Sequence, residues 1–547
     1  MEKPFAITLD VGSSLANKTG SWRTERPVYV DLLPPCNNAC PAGENIQHWL
    51  YNAEGGNQEG QHGYLDAWRQ IMRDNPFPAI MGRVCYRPCE AACNRGQLDT
   101  EVGINSVERF LGDEAIKQGW TVPVDVPESG NRVLVVGAGP SGLSAAYHLA
   151  LLGHEVVIRD AGDEPGGMMR YGIPAYRLPR DILDAEIRRI QDMGVRFELG
   201  QTVTDVLAAK TEGNFDAVFL AVGAGISRRA YIPAGDSTHI LDAVSLLHDV
   251  SSNQPPMLGR RVVVYGGGNT AMDAARTAKR LGATDALIVY RRTRDRMPAH
   301  DIEVTEAVEE GVRLKWLSTI AHAQQGTITV EKMKLDETGF PQPTGEFEEL
   351  AADTVVLALG QQADLSLLDG VPGIEVSDGV VVVGPNLMTG HPGIFAGGDM
   401  VPSERTVTVG VGHGKKAARA IDAWLRNEEP QQQTKHPVAE YSRLNTWYYS
   451  DAPATVRPRL DAARRITTFD EVVGGLDEST ALFEARRCLS CGNCFECDNC
   501  YGVCPDNAVI KLEPGKRYEI DYDYCKGCGM CAQECPCGAI DMVPEQI

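Results

Sequence analysis

At 547 residues the chain is too long for a single hydrophobic core, which points to three or four domains. Its formal net charge of −22 argues against a nucleic-acid or anionic-membrane surface and leaves partners to dock through local patches. No basic region leads into an apolar run at the start, and the apolar stretch 133–152 is broken by Gly137, Gly139, Pro140, Gly142 and His148, so a soluble, cytoplasmic protein without membrane insertion is expected.

The sixteen cysteines divide unevenly: five precede residue 94, and the other eleven begin at Cys488. A secreted disulfide framework does not leave so long a block bare, whereas clustered thiols in a reducing compartment bind metal. Residues 1–125 mix polar helix-like segments with two cysteine groups, Cys36-x3-Cys40-Pro41 and Cys85-x3-Cys89-x3-Cys93.

From Arg132 onward short Val/Ile/Leu/Ala runs alternate with amphipathic stretches, the pattern of parallel sheets covered by helices on both faces. The run Val133–Val136 leads into Gly137-Ala-Gly139-Pro140-Ser141-Gly142, then a helix, a second strand and Asp160. Such glycines permit a tight turn, close backbone approach to a pyrophosphate and packing of helix on strand, and the helix start offers free N–H groups to phosphate. Asp160 stands where an acid accepts bonds from a ribose. A second fingerprint, Gly266-Gly-Gly268-Asn269-Thr270-Ala271, is followed by a strand ending in Arg291-Arg292 rather than an acid. Two guanidiniums suit a 2′-phosphate, so NADP(H) is favoured over NAD(H); the competing reading is a solvated basic loop. Asn269 and Thr270 either cap that helix or bond phosphate.

The first site is the expected FAD site. Gly166-Gly167 follows its acid, and the distant Gly398-Asp399 ends a strand-like run before a helical stretch, 406–421. A flavin domain split by an inserted nicotinamide domain accounts for that separation, with Asp399 bonding the ribityl chain. The expected boundaries are 126–254 and 371–428 for the flavin domain, 255–370 for the nicotinamide domain, 429–487 for a connector and 488–547 for a ferredoxin-like tail.

The tail carries the bacterial ferredoxin run twice, Cys494-x2-Cys497-x2-Cys500-x3-Cys504-Pro and Cys525-x2-Cys528-x2-Cys531-x3-Cys535-Pro. Three close thiolates hold one cubane and the fourth reaches the other. That assigns Cys494, Cys497, Cys500 and Cys535 to one [4Fe–4S] cluster, and Cys504, Cys525, Cys528 and Cys531 to the second, with zinc as the rival. No HExxH or GxSxG element appears, so hydrolytic chemistry is not expected.

Cys36…Cys40-Pro41 with Glu44-Asn-Ile, Met81-Gly-Arg-Val-Cys85, Cys89-Glu-Ala-Ala-Cys93, the first fingerprint, Gly166-Gly-Met-Met-Arg-Tyr-Gly-Ile-Pro174, Tyr290-Arg-Arg292 and Gly397-Gly-Asp399 together resemble the small, NADPH-binding subunit of glutamate synthase and its relatives. The resemblance spans about residues 30–425. It implies an α/β fold with two Rossmann-like, glutathione-reductase-like domains, an N-terminal α-helical iron–sulfur domain and, from the added tail, a C-terminal α+β ferredoxin-like domain. It also implies two N-terminal [4Fe–4S] clusters. The family's early Arg-Cys-Leu-x-Cys element is missing before Cys36, but Arg487-Cys488-Leu-Ser-Cys491 looks like the same element relocated. On that reading Cys36, Cys93, Cys488 and Cys491 share one cluster, and Cys40, Cys85 and Cys89 take another, completed by Glu108. Cys537 is then left over.

The implied function is an FAD- and NADP(H)-dependent oxidoreductase subunit with four clusters, exchanging electrons with a partner such as a 2-oxoacid oxidoreductase in a hetero-oligomer. A glutamate synthase small subunit and a non-catalytic electron-relay or redox-sensing scaffold are the alternatives.

Overall fold

The computed structural model describes residues 18–55, 63–228, 232–233, 239–324, 326–429 and 435–545. Its centre is a five-stranded parallel sheet in the order Ile394–Ala396, Ala217–Leu220, Arg132–Val136, Glu155–Arg159, Arg196–Glu198. Ala217–Leu220 and Val133–Val136 are buried throughout, as strands covered on both faces must be. Helix Pro140–Leu151 crosses from the central strand to its neighbour, and helix Val407–Leu425 packs along it. Thr406 caps the start of that second helix, its Oγ1 accepting the Val409 N–H at 3.2 Å.

A second parallel sheet runs Arg313–Lys315, Asp285–Val289, Arg261–Tyr265, Thr354–Leu357, His239–Asp242. Beside it lies a three-stranded antiparallel sheet, Ser318–Gln324, Thr327–Leu335 and Pro341–Ala351. The chain leaves the first sheet after Leu220 and returns for Ile394, and the outgoing Ile226–Ser227 pairs antiparallel with the returning Gln361–Gln362. The second domain is thus an insertion in the first. The boundary expected at residue 254 does not fit the sheets, because His239–Asp242 pairs with Thr354–Leu357 and already belongs to the second.

Helices Ile46–Ala53, Tyr64–Met72, Pro78–Val84 and Ile104–Gln118 form an N-terminal bundle around Trp49, Trp68 and Leu111, all fully buried. Pro78–Val84 crosses Ile104–Gln118 so closely that a Cβ on Gly82 would lie 2.4 Å from the Arg109 Cα. The bundle is not closed by residues 1–125 alone. Ala481 and Ala485 of helix Glu478–Arg486 enter its core. The stretch expected to be a connector holds it as well: Arg457 donates to Ser106 Oγ, Gly82 O and Asn105 Oδ1, while Glu471 pairs with Arg83 and Arg109.

The tail borrows in the opposite direction. Glu25–Tyr29 pairs antiparallel with Ile540–Pro544, so a strand from the expected helical domain completes the ferredoxin-like unit beside the hairpin Val509–Lys511/Tyr518–Ile520. The two ends of the chain interlock. Among the described residues no helix is long and apolar enough to cross a membrane.

Candidate functional site

At the first fingerprint the helix Pro140–Leu151 starts directly after Gly139, and no side chain caps it. Its first N–H groups are therefore open to an anion. A Cβ on Gly142 would lie 1.9 Å from Gly137 O, which enforces glycine there, whereas a Cβ on Gly139 would meet nothing within 4 Å. The tight side of the turn faces protein and the open side faces the cradle. Gly166 N–H bonds Ala138 O at 2.8 Å, and a Cβ on Gly167 would lie 2.9 Å from Gly139 Cα, so this pair walls the cradle. From the far end of the sequence Gly398 reaches Ser141, where a Cβ on the glycine would lie 3.1 Å from Ser141 Cβ, and its N–H donates to His413 Nδ1 at 3.1 Å. Ser141 Oγ is buried without a hydrogen-bond partner. Burial raises the Asp399 carboxyl above its ordinary value. Asp160 accepts the Ala138 N–H at 2.6 Å and the Gly162 N–H at 2.7 Å, bracing the fingerprint loop.

The second fingerprint repeats these mechanics. Helix Asn269–Arg280 follows Gly268 without a side-chain cap, a Cβ on Gly268 would meet nothing, and one on Gly266 would strike Ala358 O at 2.2 Å. Asn269 does not make the cap considered for it, because the capping position falls on Gly268. Its amide instead donates to Tyr86 OH at 2.8 Å and its Oδ1 accepts the His300 N–H at 3.0 Å. Thr270 sits half-buried in the first turn. Arg291 and Arg292 follow the neighbouring strand; Arg291 is exposed, and Arg292 Nε is buried without a partner.

Tyr86 was not singled out by its sequence, although it follows Cys85. Its ring stacks on His300 with centroids 3.6 Å apart, tying the N-terminal bundle to the inserted parallel-sheet domain. Arg177 ties the first parallel-sheet domain to the inserted one, pairing with Asp273 at 2.8 Å and with Glu303.

All sixteen cysteines are free. Cys36, Cys93, Cys488 and Cys491 line one cavity with Pro34, Leu50 and Ile104. Burial, followed by the charges of Cys488, Cys93 and Cys491, pushes the Cys36 thiol well up. Cys40, Cys85 and Cys89 converge with Glu108, whose carboxyl is pushed up first by burial and then by Glu44. Cys504, Cys525, Cys528 and Cys531 line a second cavity, and Cys494, Cys497 and Cys500 face Cys535. Cys537 Sγ lies 3.7 Å from Cys535 Sγ. The thiols surround cavities rather than closing on one point: among the described residues no group of three or more His, Cys, Asp or Glu could hold a single metal ion.

The model for pyridine nucleotide-disulphide oxidoreductases matches residues 131–414. The chain belongs to the pyridine nucleotide-disulphide oxidoreductase family. On either side of this oxidoreductase core, residues 25–120 match dihydropyrimidine dehydrogenase domain II, a 4Fe–4S cluster domain, and residues 493–539 match a 4Fe–4S dicluster domain. The NADP(+)-dependent formate dehydrogenase subunit beta of Moorella thermoacetica is 37% identical, aligned over 84% of this chain and 71% of its own. The NADPH-Fe(3+) oxidoreductase subunit beta of Geobacter sulfurreducens is 33% identical over 85% and 76%. The small chain of Escherichia coli glutamate synthase [NADPH] is 31% identical over 72% and 89%.

This oxidoreductase uses FAD, NADP(H) and [4Fe–4S] clusters. The residues present fit those groups. Two open glycine cradles face uncapped helix starts, the orphaned Ser141 Oγ and Arg292 Nε await acceptors or donors, and unpaired thiols gather in apolar surroundings.

Proposed function

We propose that the chain is the NADP(H)-handling subunit of a hetero-oligomer, moving electrons between NADPH and a partner subunit through FAD and four clusters. Gly137, Gly139, Pro140, Ser141, Gly142, Asp160, Gly166, Gly167, Gly398 and Asp399 hold FAD. Gly266, Gly268, Thr270 and Ala271 hold the dinucleotide phosphates, with Asn269 bracing the turn and Arg291 and Arg292 at the 2′-phosphate. The ligand sets are Cys36/Cys93/Cys488/Cys491, Cys40/Cys85/Cys89/Glu108, Cys494/Cys497/Cys500/Cys535 and Cys504/Cys525/Cys528/Cys531.

The observation that carries this reading is helix Val407–Leu425, which touches both redox compartments. One face packs on the fingerprint helix. On the other, a Cβ at Gly412 would lie 2.1 Å from Pro41 O, and Lys415 Nζ bonds Ala42 O, Gly43 O at 3.2 Å and Asp74 at 3.0 Å. Near its start, Thr408 lies against Met81 and Cys85; burial pushes that thiol up to about 11 and the Thr408 hydroxyl opposes it. The Cys40 and Cys85 loops are therefore fixed to the element that begins at the flavin cradle.

FAD, when bound, exchanges a hydride with nicotinamide and single electrons with clusters. The chain's own part is position and charge. The uncapped helix starts neutralise the pyrophosphates, Arg177 and Tyr86 hold the nicotinamide domain at a fixed distance, and buried thiols hold iron away from water. The four ligand groups form a continuous series. Cys491 and Cys494 belong to different groups yet are three residues apart, so their Cα atoms lie within about 11 Å. Cys497 and Cys528 are exposed, which supports an exit to a partner on the tail.

Two relatives that each cover more than four fifths of this chain are beta subunits of an NADP(+)-dependent formate dehydrogenase and an NADPH-Fe(3+) oxidoreductase. That likeness supports a partner bearing its own substrate site, such as a formate dehydrogenase catalytic subunit, with a 2-oxoacid oxidoreductase as the alternative. The glutamate synthase small chain spans less of the chain.

The test is anaerobic purification, iron and flavin analysis and addition of NADPH. About 16 iron atoms per FAD are expected, four for each cubane, with bleaching of both flavin and cluster absorbance. Cys488→Ser should remove about four irons. An unchanged iron count would remove the shared Cys36 site, and a preparation without FAD that NADPH leaves unbleached would favour the scaffold reading.

A further inference from the structure

The group formed by Cys40, Cys85 and Cys89 has a carboxylate rather than a thiol as its fourth member, and that carboxylate has company. Glu108 on helix Ile104–Gln118 and Glu44, just before helix Ile46–Ala53, both face Asn75, which has no solvent exposure. Asn75 Nδ2 donates to Glu44 Oε1 at 3.0 Å and to Glu108 Oε1 at 2.9 Å. Its orientation is not free. Asn75 Oδ1 accepts the Phe77 N–H at 2.9 Å, and an amide NH2 cannot take an N–H, so both amide hydrogens must point at the two carboxylates. Glu44 is held from its other side by Trp49 Nε1 at 3.2 Å. The bond from Asn75 thus holds one oxygen of Glu108, Oε1.

We propose that Asn75 is a positioning residue that turns Glu108 into a one-oxygen iron ligand for the Cys40–Cys85–Cys89 cluster. The inference rests on Glu108 being that cluster's ligand. A buried carboxylate with two equivalent oxygens can rotate and offer iron either one or both. A hydrogen bond from a rigid, fully buried amide removes that choice, as groups behind metal ligands commonly do. The same amide also separates Glu44 from Glu108, two like charges that would otherwise meet directly. Hydrogen bonding to a ligand draws charge from iron and so sets the cluster's reduction potential.

Asn75→Asp separates this role from simple packing. It keeps nearly the same volume and an oxygen to accept the Phe77 N–H, and replaces the amide donor by a carboxyl group, which adds a negative charge or a proton between Glu44 and Glu108. The holoenzyme is titrated anaerobically with a reductant and each cluster followed by electron paramagnetic resonance, beside Glu108→Ala. Both variants should shift the midpoint potential and the signal of the same single cluster, the other three keeping theirs. If Glu108→Ala shifts one cluster while Asn75→Asp leaves all four at their wild-type potentials, the positioning role is wrong. If Glu108→Ala shifts none, the ligand assignment beneath it has failed. Asn75→Ala losing fold while Asn75→Asp keeps both fold and potentials would also overturn the proposal, leaving Asn75 as support for Phe77.

Discussion

Gly414→Ala tests whether the contact between helices Val407–Leu425 and Pro140–Leu151 sets the flavin cradle. A Cβ at Gly414 would stand 2.4 Å from Ser141 O, 2.6 Å from Ala145 N and 2.7 Å from Ser144 Cβ. Two of these are backbone atoms of the neighbouring helix, and no rotamer change relieves them. Ordinary contact begins at 3.4 Å, so the helices must separate by about 1 Å, the difference between 3.4 and 2.4. Overpacking of that kind costs about 1–3 kcal/mol. The same displacement moves the walls of the cradle, and a misplacement of about 1 Å lowers a positioned reaction on the order of 10²-fold. Gly410 provides the contrast. Its nearest neighbour would be Pro140 Cγ at 3.5 Å, so alanine fits and should stabilise the helix by about 0.5–1 kcal/mol. Denaturant unfolding measures the two stabilities, and anaerobic stopped-flow absorbance measures flavin reduction by NADPH in Gly414→Ala. Equal stabilities for the two variants, with wild-type FAD occupancy and reduction rate in Gly414→Ala, would refute the reasoning.

Gly412→Ala should push the Cys40–Pro41 loop off the same helix at a cost of about 1–3 kcal/mol; cluster bleaching should then lag behind flavin bleaching, and synchronous bleaching counts against the junction. Arg292→Leu removes a charge-assisted bond worth about 1.5–3 kcal/mol, so the KM for NADPH should rise about 10- to 100-fold with little change for NADH, and a parallel rise for both would place Arg292 elsewhere. Burial, with Lys415 and Arg419 adding to it, pushes the His148 imidazole down to about 3. The folded chain leaves it neutral while the unfolded chain binds a proton below about 6.5, so its contribution is complete above pH 6.5 and is lost as pH falls towards 3. His148→Gln should therefore lessen the stability lost between pH 7.5 and 5.5 by about 1 kcal/mol, read from denaturant midpoints; an unchanged loss would mean that the histidine is charged in the fold.

Much of the chemistry is written in local spacing. Gly137 to Gly142 and Gly266 to Ala271 dictate strand, turn and helix within a dozen residues, because a Cβ at the tight positions would strike the backbone of the same turn or of the strand beside it. The paired ferredoxin runs are legible for the same reason. Less legible were the partners of Asn269, whose side chain bonds Tyr86 and His300 rather than its own helix, and the role of Asn75, which carries no motif. The boundary at 254 was misplaced because His239–Asp242 is short and marginally apolar, and only pairing with Thr354–Leu357 reveals its sheet.

The sequence by itself therefore determined the two parallel-sheet nucleotide folds, their cradles and the tail's cysteine pattern, since these depend on neighbours a few residues apart. Tertiary structure decided what lies between them. It closes the N-terminal bundle with helix Glu478–Arg486 and joins Glu25–Tyr29 to Ile540–Pro544. Those associations link residues hundreds of positions apart. They are selected by the burial of apolar faces that neither segment can cover alone, and such complementarity has no signature in either stretch of sequence read separately.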